Sequence, residues 1–280
     1  MSTPFDGYVK KRDWLVCVDS DGCAMDTMDI KHFTCFGPCM VEEWGLEAWR
    51  DALLDRWNQV NLYTMTRGIN RFKALAILLQ EVNAQHKPIE GLEEYVNWAE
   101  NAKELSNKAL EAASQTAQGP CLAKALHWSQ NLNARIAQLP EEEVKPFPGA
   151  KEGLAAIHAQ CDVAVVSSAN PDAVLAEWKR FGLLEHTDIV LAQDAGTKAH
   201  CIGEMLKKGY APDHVLMVGD APGDRSAAEK NGVYYYPILV RREAESWAEL
   251  KDKGLAEFLS GNYAPYGEKK AEEFLKNLGG

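Results

Sequence analysis

The chain has 280 residues, 46% of them hydrophobic and 25% charged, with a formal net charge of −11. That length can bury a substantial core in one large or two modest domains. The acidic balance speaks against a nucleic-acid partner, whose phosphates are met largely by Lys and Arg.

The opening stretch, MSTPFDGYVKKRDW, lacks the apolar core of a signal peptide, and no apolar run is long enough to span a bilayer. A cytoplasmic protein without a membrane partner is expected. Seven cysteines, an odd number without zinc-ribbon spacing, read as reduced thiols. The loose grouping of His32, Cys35 and Cys39 after Cys23 reads as small buried groups rather than as a metal site.

Trp14–Val18 is a short apolar run of buried-strand type, and it leads directly into Asp19, Ser20, Asp21 and Gly22. From about residue 25 to residue 147 no strand-like run stands out. Amphipathic patterns take over, with Trp44, Trp49, Leu53, Trp57 and Val60 in one stretch and Leu75, Leu78, Leu79 and Val82 in another. Five of the eight tryptophans lie here, and at helical spacing they read as core. The segment is expected to be an all-helical cap domain, 25–147, inserted after the first strand, with the Glu- and Pro-rich 141–149 as its return hinge.

Beyond the hinge a helical pattern over Pro148–Gln160 leads into strands at Asp162–Ser167, Asp188–Ala192, His214–Gly219 and Val233–Val240. Helices at Pro171–Phe181, Lys198–Lys208 and Asp224–Asn231 alternate with them. Alternation of this kind predicts βαβ units, hence an α/β fold with a Rossmann-like parallel sheet. Its core domain would comprise 1–24 and 148–280. The charged tail has two helical patterns, Ala244–Leu259 and Glu268–Leu278, expected to complete the core domain as surface helices.

Four segments carry chemistry, each at the carboxyl end of a predicted strand, where open parallel sheets bind ligands. Asp19 and Asp21 pair two carboxylates there, which is costly without a cation; a polar turn is the plain alternative. Gly219, Asp220, Pro222, Gly223 and Asp224 make good turn chemistry, and beside Asp19 the two aspartates become a plausible magnesium site. Ser167, Ser168 and Asn170 end another strand, where hydroxyls and backbone N–H groups either hold phosphate oxygens or cap a helix. Lys198 opens a helix against its dipole, an unfavourable place unless the charge has a task.

The joint order of these four segments resembles the haloacid dehalogenase superfamily, over roughly residues 12–27 and 147–240, with the insertion resembling its helical cap. The resemblance implies a magnesium-dependent phosphatase acting on a small phosphomonoester. In it Asp19 would attack phosphorus to form a phosphoaspartate, and Asp21 would serve as general acid and base. Ser167 and Lys198 would hold phosphoryl oxygens, with Ser168 and Asn170 as further substrate contacts. Asp19, the Asp21 carbonyl and Asp220 would bind Mg2+, with Asp224 supporting that set. Cys23 departs from the pattern, which usually has Thr or Val there. Asp26 matches an Asp often seen near the start of the cap hinge.

Within the resemblance, Asp21 argues against dehalogenation, since halide leaves without a proton. The Lys-Thr-Gly of the ATPase branch is absent, and nothing singles out Lys31 or Lys73 for the Schiff-base chemistry of phosphonate cleavage. Gly68, Ile69, Asn70 and Arg71 look like a stretch of β-phosphoglucomutase-type caps, which would take Arg71 to a distal anionic group of the substrate. A phosphomutase is therefore the alternative activity. A non-catalytic phosphometabolite-binding protein is the alternative of another class, disfavoured by the complete set of motif residues. Monomer and homodimer both remain open.

Overall fold

Residues 4–280 are described by a computed structural model. The central strand is β1 (Leu15–Val18), flanked in parallel by β4 (Asp162–Val166) and β6 (Val215–Gly219); β5 (Ile189–Leu191) and β7 (Tyr234–Pro237) form the edges. The sheet order is β5-β4-β1-β6-β7. Every residue of β1, β4 and β6 is buried, as unbroken apolar strands require when helices cover both faces. The order reverses direction at β1, so the residue following it stands at the topological switch point of the sheet.

The described residues pack as two compact units: one holds residues 4–28 together with Glu142–Gly280, the other Asp29–Glu141. Within the first, a two-stranded antiparallel ribbon pairs β2 (Met25–Asp26) with β3 (Lys145–Pro146). Both strands fall in the stretch that read as strand-free. With two residues each, they have no period for a sequence to display.

After the short α1 (Met28–Lys31), the second unit contains α2 (Gly37–Trp44), α3 (Arg50–Asn58), α4 (Arg71–Gln85), α5 (Leu92–Asn101), α6 (Asn107–Ser114) and α7 (Cys121–Ile136). Helix α2 packs on α3 and α7, α4 on α5, and α6 on α7. Trp57 and Trp128 are fully buried at the centre, their rings 6.0 Å apart and edge to face. Of the tryptophans at helical spacing, Trp44 and Trp57 are buried in the core and Trp49 packs partly buried against it, as their large apolar area favours.

In the α/β unit the sheet is covered by α8 (Ala150–His158), α9 (Pro171–Arg180), α10 (Lys198–Leu206) and α11 (Pro222–Asn231), then by the tail helices α12 (Glu243–Glu249), α13 (Leu255–Leu259) and α14 (Tyr263–Asn277). The tail differs from expectation in two ways. Its first helix is interrupted by a π-helical turn at Leu250–Gly254. Its second starts five residues earlier than the pattern suggested, because Pro265 stands in the first turn, where a missing N–H costs nothing. Nor is the tail merely a surface layer: Trp247, Phe258, Tyr263 and Phe274 are fully buried, and α14 packs along β7. Among the described residues no helix is long and apolar enough to cross a membrane.

Gly153 shows how tightly α8 meets the tail. A Cβ placed there would lie 2.5 Å from Trp247 Cε3, and the indole is enclosed and cannot retreat. Gly153→Ala is therefore expected to destabilise the protein by about 1–3 kcal/mol, despite alanine's better helix propensity. Chemical denaturation of the two proteins measures it.

Candidate active site

Asp19 leaves β1 with its N–H donating to Val218 O (3.0 Å), so the neighbouring strand fixes where its side chain starts. Only 6% of the residue is exposed. Its Oδ1 accepts from Ser20 N at 2.8 Å, and its Oδ2 pairs with Lys198 Nζ at 2.7 Å. The loop then folds tightly on itself: the amides of Cys23, Ala24 and Met25 all donate to Ser20 O. Two tryptophans hold this loop from outside. Trp178 Nε1 donates to Ser20 Oγ at 2.8 Å, and Trp247 Nε1 donates to Cys23 O at 2.9 Å.

Asp21 is half-buried and accepts from Thr27 Oγ1 at 2.5 Å. Thr27 is itself fully buried. Cys23 donates its thiol to Val218 O. Burial raises its pKa, and Asp19 and Asp220 raise it further. It remains a thiol and fills space.

The second loop follows β6. Asp220 is 1% exposed and Asp224, in the first turn of α11, is fully buried. Asp224 Oδ2 accepts from Ala221 N at 3.0 Å, while its Oδ1 receives Lys198 Nζ at 2.5 Å. The close approach of Asp224 depends on Gly219, where a Cβ would lie 2.3 Å from Asp224 Cγ. Ligand oxygens of Asp19, Asp220 and Asp224 lie within 4.8 Å of one another, the one such grouping of His, Cys, Asp or Glu among the described residues. Cys35 and Cys39 are buried free thiols, and His32 Nδ1 accepts from Trp57 Nε1, as expected for core groups.

The electrostatics follow from this burial. Desolvation drives the Asp19 pKa well above the ordinary carboxylate range, and Asp224 and Asp220 push the same way against the opposing pull of Lys198. For Lys198, burial favours the neutral amine, but the two carboxylates it touches outweigh burial and raise its pKa. Lys198 is therefore a bound cation, and its task at the start of α10 is visible: it joins the loop after β1 to the loop after β6.

Ser167 follows β4, whose Val165 stands beside Val18 in register, so Ser167 emerges from the same edge of the sheet as Asp19. It is 3% exposed, and its Oγ accepts from Ala169 N at 3.1 Å. Ser168 is exposed. The side-chain oxygen of Asn170 caps α9, accepting from Asp172 N and Ala173 N, so the capping alternative describes that atom. Arg71 belongs to the helical unit, in the first turn of α4 behind the Asn70 cap. Its Nη1 donates to Asn133 Oδ1 (2.7 Å) and approaches Ser129 Oγ (3.4 Å), and its guanidinium lies over the Phe36 ring.

Thr27, Trp178 and Trp247 were not picked out from the sequence: the two indoles reach the loop from 158 and 224 positions away, and Thr27 meets Asp21 only through the turn between them.

Residues 121–237 match the model of the haloacid dehalogenase-like hydrolase family. The matched stretch contains Ser167, Lys198, Asp220 and Asp224, and excludes Asp19 and Asp21. No curated protein matches the chain. Among solved structures, a protein of Lactobacillus delbrueckii provisionally named a phosphoglycolate phosphatase is 14% identical, with 81% of this chain and 86% of that one covered at a TM-score of 0.54. A haloacid dehalogenase-like family hydrolase of Xanthomonas campestris is 11% identical over 90% of this chain and 97% of that one, with a TM-score of 0.50. At such identities the likeness is one of fold. Residues 121–237 thus match haloacid dehalogenase-like hydrolases in sequence, and the chain shares its fold with these two solved structures.

Proposed function

We propose that this protein is a magnesium-dependent phosphatase that hydrolyses a small phosphomonoester through a phosphoaspartate on Asp19. The observation that carries the reading is the cluster of Asp19, Asp220 and Asp224, three buried carboxylates within 4.8 Å, two of them bridged by Lys198. Buried carboxylates at this density call for more positive charge than one ammonium. Magnesium prefers oxygen ligands, and these side chains supply them, with the Asp21 carbonyl as a further candidate. When bound, it would offset negative charge on the phosphoryl oxygens.

In this reading Asp19 Oδ attacks phosphorus, and the bond from phosphorus to the substrate's ester oxygen breaks. Asp21 gives its proton to the departing alkoxide. Asp21 then takes a proton from water, whose oxygen attacks phosphorus, releasing phosphate and restoring the Asp19 carboxylate. Two easier transfers replace one slow hydrolysis. The bond from Thr27 supports Asp21 in its role by fixing the carboxyl's direction. Lys198 would balance charge at the attacking carboxylate and on the equatorial oxygens, and Ser167, with Ser168 and Asn170, would contact the phosphoryl group. Arg71 would receive a second anionic group of the substrate: burial lowers its pKa, and among the described residues no carboxylate pairs with it.

The test is release of inorganic phosphate from para-nitrophenyl phosphate and a panel of sugar phosphates and phosphorylated organic acids, with and without Mg2+. Turnover that requires Mg2+ is the expected result. Well-folded protein with no turnover on any ester would overturn the phosphatase reading. Isotope exchange between two phosphate positions of a sugar phosphate would then point to a mutase.

A further inference from the structure

Gly219 O, the last carbonyl of β6, accepts two hydrogen bonds, from Ile238 N at 2.9 Å and from Tyr235 Oη–H at 2.9 Å. This carbonyl belongs to the peptide unit whose nitrogen is that of Asp220. Two donors on it from different directions set the plane from which Asp220 leaves the strand. Tyr235 is 8% exposed, with its ring edge-to-face against Phe274 of α14 at 5.5 Å. Its own carbonyl in turn accepts from Tyr263 Oη–H at 2.9 Å. Tyr263 opens α14, is fully buried, and packs against Phe258 and Tyr266. Two hydrogen bonds, joined through the covalent frame of Tyr235, thus link the C-terminal segment by way of β7 to the peptide preceding Asp220. In a dry interior, each of these acceptors is costly to leave short of a donor.

We propose that Tyr235 and Tyr263 are positioning residues of the acidic site, through which the C-terminal segment tunes the affinity of the Asp19, Asp220 and Asp224 cluster for a divalent cation. The inference rests on reading that cluster as a magnesium site. Groups that orient metal ligands from behind commonly change affinity by about 10–100-fold when removed. The tyrosines lie within the α/β unit, and neither is a candidate ligand.

The experiment is calorimetric titration of Mg2+ into wild type, Tyr235→Phe, Tyr263→Phe and Asp220→Asn, with circular dichroism to verify folding. Ile157→Val, a core change on α8 that removes no hydrogen bond, controls for general loosening. Tyr235→Phe is expected to bind Mg2+ about tenfold more weakly than wild type, Tyr263→Phe to shift the same way by less, and Ile157→Val to bind as wild type does. Should Tyr235→Phe fail to fold, Tyr263→Phe, which leaves Tyr235 in place, carries the test. Wild-type affinity in both tyrosine variants, with binding lost in Asp220→Asn, would overturn the positioning role and leave the magnesium reading standing. Absence of binding to wild type would overturn both.

Discussion

Asp19→Asn is expected to reduce phosphate release by roughly 10^4- to 10^6-fold, the range seen when a nucleophile is removed from a group of residues acting as a unit. An amide has neither the charge nor the nucleophilicity to form the acyl phosphate. The fold should survive, because the backbone bond from Asp19 N to Val218 and the pairing of Lys198 with Asp224 do not involve the altered group. A second readout separates chemistry from structure. Burial and the neighbouring carboxylates raise the folded-state pKa of Asp19, so the folded state holds its proton to higher pH than the unfolded chain does. Ionising it therefore costs stability at neutral pH, and the cost vanishes below about pH 4, where both states are protonated. Without Mg2+, Asp19→Asn should melt at or above the wild-type temperature at pH 7, and this advantage should shrink as the pH falls. Added Mg2+ should raise the wild-type melting temperature more than the variant's. Full activity in Asp19→Asn would remove Asp19 from the reaction.

Lys198→Met should produce the opposite stability effect. The ammonium is 2.7 Å from Asp19 and 2.5 Å from Asp224, and its side chain is 15% exposed against 8% and 0% for its partners. Methionine fills much of the same volume and leaves the carboxylates uncompensated. Removing one partner from a buried ion pair costs about 3–5 kcal/mol. A loss of this order is expected at pH 7 in metal-free protein, with partial recovery on adding Mg2+ or lowering the pH enough to protonate a carboxylate. Activity should fall by about 10^2- to 10^3-fold, comparable to losing one preorganised donor at a developing charge. Denaturation and phosphate release measured on the same preparation test both statements. Unchanged stability across pH would mean that Lys198 is not the cation balancing the cluster.

The fold and the candidate site were legible in the sequence to different extents. Parallel strands buried on both faces favour short continuous apolar runs, and LVCV, VLMVG and the VAVV that follows Asp162 are such runs. Helices over 171–180 and 198–206 carry their own caps, Asn170 and Thr197, written locally in the chain. Because β1 leads directly into Asp19 and β6 into Asp220, a strand assignment alone places both carboxylates at the same edge of the sheet. Lys198 stood out because its charge opposes the helix dipole, an anomaly that local rules can detect.

Other features arise only when segments distant in sequence meet. That Asp224 Oδ1 and Asp19 Oδ2 share one ammonium depends on three separate loops converging, and no spacing encodes that convergence. The hydroxyl of Thr27 becomes an Asp21 partner only through the turn that brings the chain back after Met25. The tail carried no motif, yet Trp247 reaches Cys23 across 224 positions and Tyr263 reaches Tyr235 across 28. A tryptophan or tyrosine in an amphipathic pattern looks like core, and these residues are core. What a pattern cannot express is where the single polar atom of a buried ring points. Period and capping are properties of neighbours along the chain, so the sequence by itself determined the elements and the residue types at their ends. Direction and pairing of buried polar atoms depend on packing in three dimensions, so only the tertiary structure decided which carboxylates share a cation and which side chains hold them in place.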